Sequence, residues 1–165
     1  MLSLGQAVLL VGTLIVVVPT RAGVVIVADS KATRRTASGV ASVSAAEKVF
    51  DVPGVAGHAF FVTGASPVHV ATEGQGMATI VDARGVVRAR LWGRTQVGRA
   101  DFDAVARECA RLAARIHRME GGAGPLVGRD LFTVGMVRAA QGRRPHEVAS
   151  FVIRLTATSA EVSSR

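Results

Sequence analysis

Near the start of the chain, two runs rich in branched aliphatic residues, Thr13–Val18 and Val24–Ala28, flank the breaker segment Pro19-Thr-Arg-Ala-Gly23. Branching at Cβ restricts χ1 and suits an extended backbone, whereas Pro and Gly interrupt one. The segment therefore predicts an antiparallel β-hairpin. Neither run alternates with polar residues, so both strands are expected to be buried on two faces.

The rest of the chain extends this β-rich beginning. Arg34–Ser44 is small and polar and reads as a loop, Glu47–Val52 as a short strand stopped by Pro53-Gly54, and Ala59–Gly64 as a further strand. Four strands within the first 65 residues suggest one sheet built early. Ser66–Gly76 reads as irregular, and Ala78–Leu91, with two apolar stretches around Asp82-Ala-Arg-Gly85, fits a hairpin or a broken helix. Phe102, Val105, Ala106, Cys109, Leu112, Ala113, Ile116 and Met119 recur at helical spacing and predict a helix over Phe102–Met119. Asp101 is its expected N-cap and Gly121-Gly122 its stop. Leu131–Ala140 and Ala149–Thr158 read as two strands joined by Gln-Gly-Arg-Arg-Pro-His. Strands, then a helix, then strands indicate an α+β layered fold and argue against repeating βαβ units.

Composition narrows the chemistry. With 165 residues, 49% of them apolar and 19% charged, the chain has the means to bury a core as one domain. Its 20 basic and 12 acidic residues leave a net charge of +8, and only Lys31 and Lys48 among the basic residues are lysine. The arginines are scattered, there is no Tyr, and Trp92 is the one Trp, a poor inventory for stacking on bases; nucleic acid is not an expected partner. His58, His69, His117 and His146 lack metal-ligand spacing. The single Cys109 cannot form an internal disulfide and falls on the apolar face of the predicted helix. Ala7–Pro19 is short for a helical membrane span and lacks a basic n-region and a clear small-x-small cleavage site.

Six positions acquire meaning together: Gly12-Thr13 ahead of the first strand, Asp29 and Thr33 in Asp29-Ser-Lys-Ala-Thr33 after the second, Lys48 in Glu-Lys48-Val-Phe, and Gly64 in Phe-Val-Thr-Gly64-Ala. In order, spacing and strand placement they resemble the threonine-type N-terminal-nucleophile hydrolases of the bacterial proteasome β-subunit kind. The likeness covers Gly12 to about Ser66 and, more loosely, Leu131–Thr158, while the Thr33–Lys48 connection is about three residues longer than is usual in that family. The resemblance implies an αββα sandwich of two antiparallel sheets with flanking helices, its C-terminal helical layer incomplete. Residues 1–12 would be a leader or the remnant of a targeting segment, and residues 13–165 the domain.

The implied activity is hydrolysis of peptide amide bonds. Thr13 would be the nucleophile once cleavage after Gly12 frees its α-amine, a base with a pKa of about 8. Lys48 and Asp29 would set the electrostatics, the Gly64 N–H would stabilise the oxyanion, and Thr33 would pair with an extended substrate through its main chain. Ser159 stands roughly where the family carries a supporting Ser, without the surrounding motif. No metal or organic cofactor is implied; peptide or protein substrates and ring-type homo-oligomers are, in the cytoplasm. Two alternatives stay open: a non-catalytic structural or assembly subunit, and an exported protein whose first 20 residues are a targeting signal cut after Ala22.

Overall fold

The computed structural model describes residues 9–10, 14–20, 23–29, 31–36, 39–45, 47–72, 76–120, 124, 126–140 and 145–164. Among these the chain forms twelve strands and two helices: β1 (Leu9–Leu10), β2 (Ile15–Thr20), β3 (Gly23–Ala28), β4 (Lys31–Thr36), β5 (Gly39–Ala45), β6 (Val49–Phe50), β7 (His58–Gly64), β8 (Val68–Thr72), β9 (Gly76–Val81), α1 (Ala83–Leu91), α2 (Arg99–Glu120), β10 (Asp130–Arg138), β11 (Glu147–Leu155) and β12 (Ala160–Ser164). The fold is α+β with several antiparallel sheets. β12-β11-β10-β7-β6 form a five-stranded sheet, β1-β4-β5 a three-stranded one, and β2-β3 and β8-β9 are hairpins.

The five-stranded sheet carries the core. Its strands alternate, so Phe60, Val62, Phe132, Val134, Met136, Phe151 and Ile153 share a face and join one buried cluster with α1 and α2. The stripe on α2 that meets them is Phe102, Val105, Ala106, Cys109, Ala113 and Ile116, and Phe102 packs on Phe151 with ring centroids 5.0 Å apart. Phe61, Val137 and Val152 lie on the opposite face and are buried as well. There Phe61 stands directly across from Gly135, where a Cβ would come within 1.9 Å of its ring. The aromatic ring thus occupies the space that the glycine leaves.

The first hairpin forms as expected, but not with two buried faces. Leu14, Val16, Val18, Val25 and Val27 are exposed, while the alternate residues Ile15, Val17, Ile26 and Ala28 are half-buried. Branched residues favour strands whether or not a second layer covers them, so an unbroken apolar run does not distinguish one covered face from two. The expected loop at Arg34–Ser44 is instead most of a hairpin, with Thr33↔Val43 and Thr36↔Gly39 in register. Ser66–Gly76 likewise contains a strand, β8, paired with β9. Ala78–Leu91 is neither hairpin nor broken helix: its first part completes β9 and its second part is α1. The early strands are divided among separate sheets rather than gathered into one.

The long helix begins at Arg99, earlier than its periodicity predicts. Asp101 lies in its first turn and accepts from the Gly98 N–H at 3.0 Å, the return contact of a capping box rather than the cap itself. Met119 is exposed, since the buried stripe ends at Ile116. Gly121-Gly122 lie outside the described residues. β12 has no counterpart in the sequence reading; its pattern Ala-Glu-Val-Ser-Ser offers one large apolar residue, Val162.

Gly135→Val places two methyl groups against the Phe61 ring. Overpacking of this kind costs about 1–3 kcal/mol, and the urea midpoint should fall accordingly with an unchanged slope; an unaltered midpoint would show that Phe61 yields without cost.

Candidate functional site

The charged centre of the molecule is built where β3 ends and β6 begins. Lys48, the residue before β6, is the one buried charged residue among the described residues, 9% exposed. Its backbone is fixed by β7, because the Val62 N–H donates to the Lys48 carbonyl at 2.9 Å. Its ammonium donates to Asp29 Oδ1. Asp29 directly follows β3 and is more open, with 42% of its side chain exposed.

Asp29 also closes the base of the first hairpin. Its N–H donates to the Leu14 carbonyl at 3.2 Å, and its Oδ2 accepts from the Leu14 N–H at 3.3 Å. The carboxylate therefore bridges Lys48 to the amide that joins Leu14 to residue 13. Burying an ammonium is tolerated when an ionised partner meets it, and here the partner's second oxygen is directed at the start of β2. Gly12 and Thr13 themselves lie outside the described residues.

Gly64 ends β7 at φ +87°, and a Cβ there would lie 2.6 Å from the Leu131 carbonyl oxygen and 2.9 Å from Phe132 Cα. Both obstacles are backbone, so the position is restricted to glycine by space as well as by torsion. Strand alternation sends the Gly64 N–H to the same side as the Val62 N–H that meets Lys48. Thr33 falls within β4, opposite Val43. β1 pairs with the same strand, Leu10 opposite Arg34, so the edge beside Thr33 already holds an extended segment.

Ser159 is not gathered into this centre. It closes the β11–β12 turn, where its N–H donates to Thr156 Oγ1 at 3.1 Å and its carbonyl accepts from the Thr156 N–H at 2.8 Å. That turn is at the β12 edge of the five-stranded sheet, whereas Lys48 precedes the strand at the β6 edge. With strands about 4.8 Å apart, the two edges are separated by roughly 19 Å. Among the described residues the contacts of Ser159 are with Thr156, within its own turn.

Three residues that sequence reasoning passed over belong to the same framework. Arg84 on α1 reaches Glu47, its Nη1 donating to Oε2 at 2.8 Å and its Nη2 to the backbone carbonyl. His146 secures the far end of the hairpin: Nδ1 accepts from the Ala140 N–H at 3.0 Å, so Nε2 carries the proton that meets the Thr20 carbonyl at 3.1 Å. An amide can only donate and a carbonyl only accept, which fixes the tautomer. None of these contacts has a local sequence signal, since each partner pair is 37 or more residues apart or depends on a turn.

The other nucleophile, Cys109, is fully buried on the core face of α2, and desolvation, aided by the nearby Glu108 and Asp82 charges, pushes its thiol up to about 12. Among the described residues no three metal-binding side chains cluster, and no helix is long and apolar enough to cross a membrane. Comparison with known protein families, with curated proteins and with solved structures found no match.

Cys109 should remain unlabelled by iodoacetamide at pH 8 in the folded protein and react fully in urea, because a thiol raised to about 12 holds almost no thiolate at that pH. Native-state labelling at the rate of the unfolded chain, followed by mass, would contradict the buried placement.

Proposed function

We propose that this chain is a threonine-dependent amide hydrolase of the N-terminal-nucleophile, proteasome β-subunit kind, activated by cleavage between Gly12 and Thr13. The observation that carries the reading is the bridge from Lys48 through Asp29 to the Leu14 amide, a buried cation anchored one residue from Thr13. Two others support it. β1, within the proposed leader, pairs with β4 at Arg34 and Arg35, so in this reading cleavage after Gly12 frees that edge for an extended peptide by strand addition. The second face of the five-stranded sheet is buried at Phe61, Val137 and Val152, while the first hairpin is tethered at the Lys48 and His146 ends. In this reading the hairpin belongs to the second layer of an αββα sandwich.

The chemistry would run as follows. The freed Thr13 amine takes the hydroxyl proton as Oγ1 attacks the peptide carbonyl, giving a tetrahedral oxyanion that the Gly64 N–H receives. Collapse expels the amine half of the substrate, protonated by the same ammonium, and leaves an ester on Thr13. Water, deprotonated by the amine, attacks the ester and releases the acid. Lys48 lowers the cost of negative charge on Oγ1, and Asp29 keeps that cation in place. Peptides are the substrates, and copies of the chain assemble as a homo-oligomer.

The second reading is a non-catalytic assembly subunit, favoured by the exposed apolar face of the first hairpin. N-terminal sequencing with intact mass separates the two: the enzyme begins at Thr13 and hydrolyses peptides, whereas the assembly subunit keeps Gly12 and gains no activity on trimming. Thr13→Ala should abolish both processing and turnover with the urea midpoint preserved. Lys48→Arg should lose at least about tenfold in kcat, because a planar guanidinium does not replace a compact ammonium. Normal peptide turnover by Thr13→Ala would end the proposal.

A further inference from the structure

We infer that Arg84 is a positioning residue for Lys48, an inference that rests on the proposed function for its kinetic consequence but not for its geometry. A side chain leaves its Cα in a direction set by the two peptide groups on either side. For Lys48 the peptide after it is held by β7, through the Val62 N–H and the Lys48 carbonyl at 2.9 Å. The peptide before it is held by α1, through Arg84 Nη2 and the Glu47 carbonyl. Both peptide planes are thereby fixed, and the ammonium is delivered to Asp29 without a search through backbone conformations.

Arg84 is itself well placed for this task. Its second nitrogen, Nη1, takes the Glu47 carboxylate at 2.8 Å, so one planar fork grips the backbone and the side chain of the same residue. Its guanidinium carbon lies 5.5 Å from the centroid of the Phe50 ring, which is buried two residues beyond Lys48. The root of the arm is anchored too: the Ala83 N–H at the start of α1 donates to Ser66 Oγ at 3.0 Å. Arg88 provides the natural control. It lies over the same ring at 5.4 Å, but its Nη2 reaches only to 4.0 Å from Glu47 Oε2.

The experiment uses the full chain with lysine labelled at 13Cε, which gives two signals because Lys31 and Lys48 are the only lysines. In Arg84→Ala the Lys48 signal should move toward that of a free lysine while Lys31 stays, and Arg88→Ala should move neither. On peptide substrates Arg84→Ala should lose about tenfold to a hundredfold in kcat with KM within about twofold, and millimolar guanidinium should restore part of the loss. A folded Arg84→Ala with an unmoved Lys48 signal would overturn the inference, as would an equal shift in Arg88→Ala. If Arg84→Ala fails to fold, Arg84→Lys, which keeps a stem against Phe50 and a single donor, is judged by the same signal. An unaltered chain that hydrolyses no peptide even with Thr13 exposed would remove the proposed function, and the lysine signal would still decide the role of Arg84.

Discussion

The antiparallel ladder between β7 and β10 holds the molecule together. Seven residue pairs, from Arg138↔His58 to Phe132↔Gly64, join two segments far apart in the sequence, and the helices that intervene are folded onto one face of the result. Closing so long a loop is costly in chain entropy, and the return comes from the side chains that the ladder aligns on both faces. Two glycines make the close approach possible. Gly64 passes the Leu131 carbonyl where no Cβ fits, and Gly135 leaves room for the Phe61 ring. β6, and with it Lys48, is attached to the other edge of β7, so the charged centre inherits its position from this ladder.

That centre is assembled from four pieces of chain: the start of β2, the end of β3, the approach to β6, and α1. Their polar contacts form a line from Arg84 through Glu47 and Lys48 to Asp29 and Leu14. The line passes from the exposed Glu47 to the buried Lys48 and back to the half-open Asp29. Away from bulk water a fixed charge acts more strongly on its neighbours, and the lysine ammonium is a compact charge able to donate in three directions.

Much of this was legible in the residues themselves. The Pro19–Gly23 break gave the first hairpin, the three-and-four spacing from Phe102 to Ile116 gave the long helix, and the rarity of lysine marked Lys48. Pattern failed where composition misled. Residues 34–36 and 39–44, in a stretch read as a loop, pair in β4 and β5, because register against a neighbour decides strand formation when side chains are indifferent. Asp82 divides a strand from a helix within Ala78–Leu91, and the neighbouring residues carry no periodicity long enough to reveal it. Arg84, Glu47 and His146 were hidden because their partners are set by the tertiary fold. Ser159, chosen by its approximate place in the chain, is used to close a turn.

The exposed face of the first hairpin bears on how the protein behaves in company. Leu14, Val16, Val18, Val25 and Val27 present an apolar ribbon on one face of the hairpin, the kind of surface on which strands of different molecules stack. Against this works the surplus of eight positive charges, which keeps like molecules apart at long range. The balance is colloidal, and the ions of the surrounding solution set it. At about 0.1 M salt the repulsion reaches only about 10 Å from the surface, so added electrolyte brings the ribbons within each other's range.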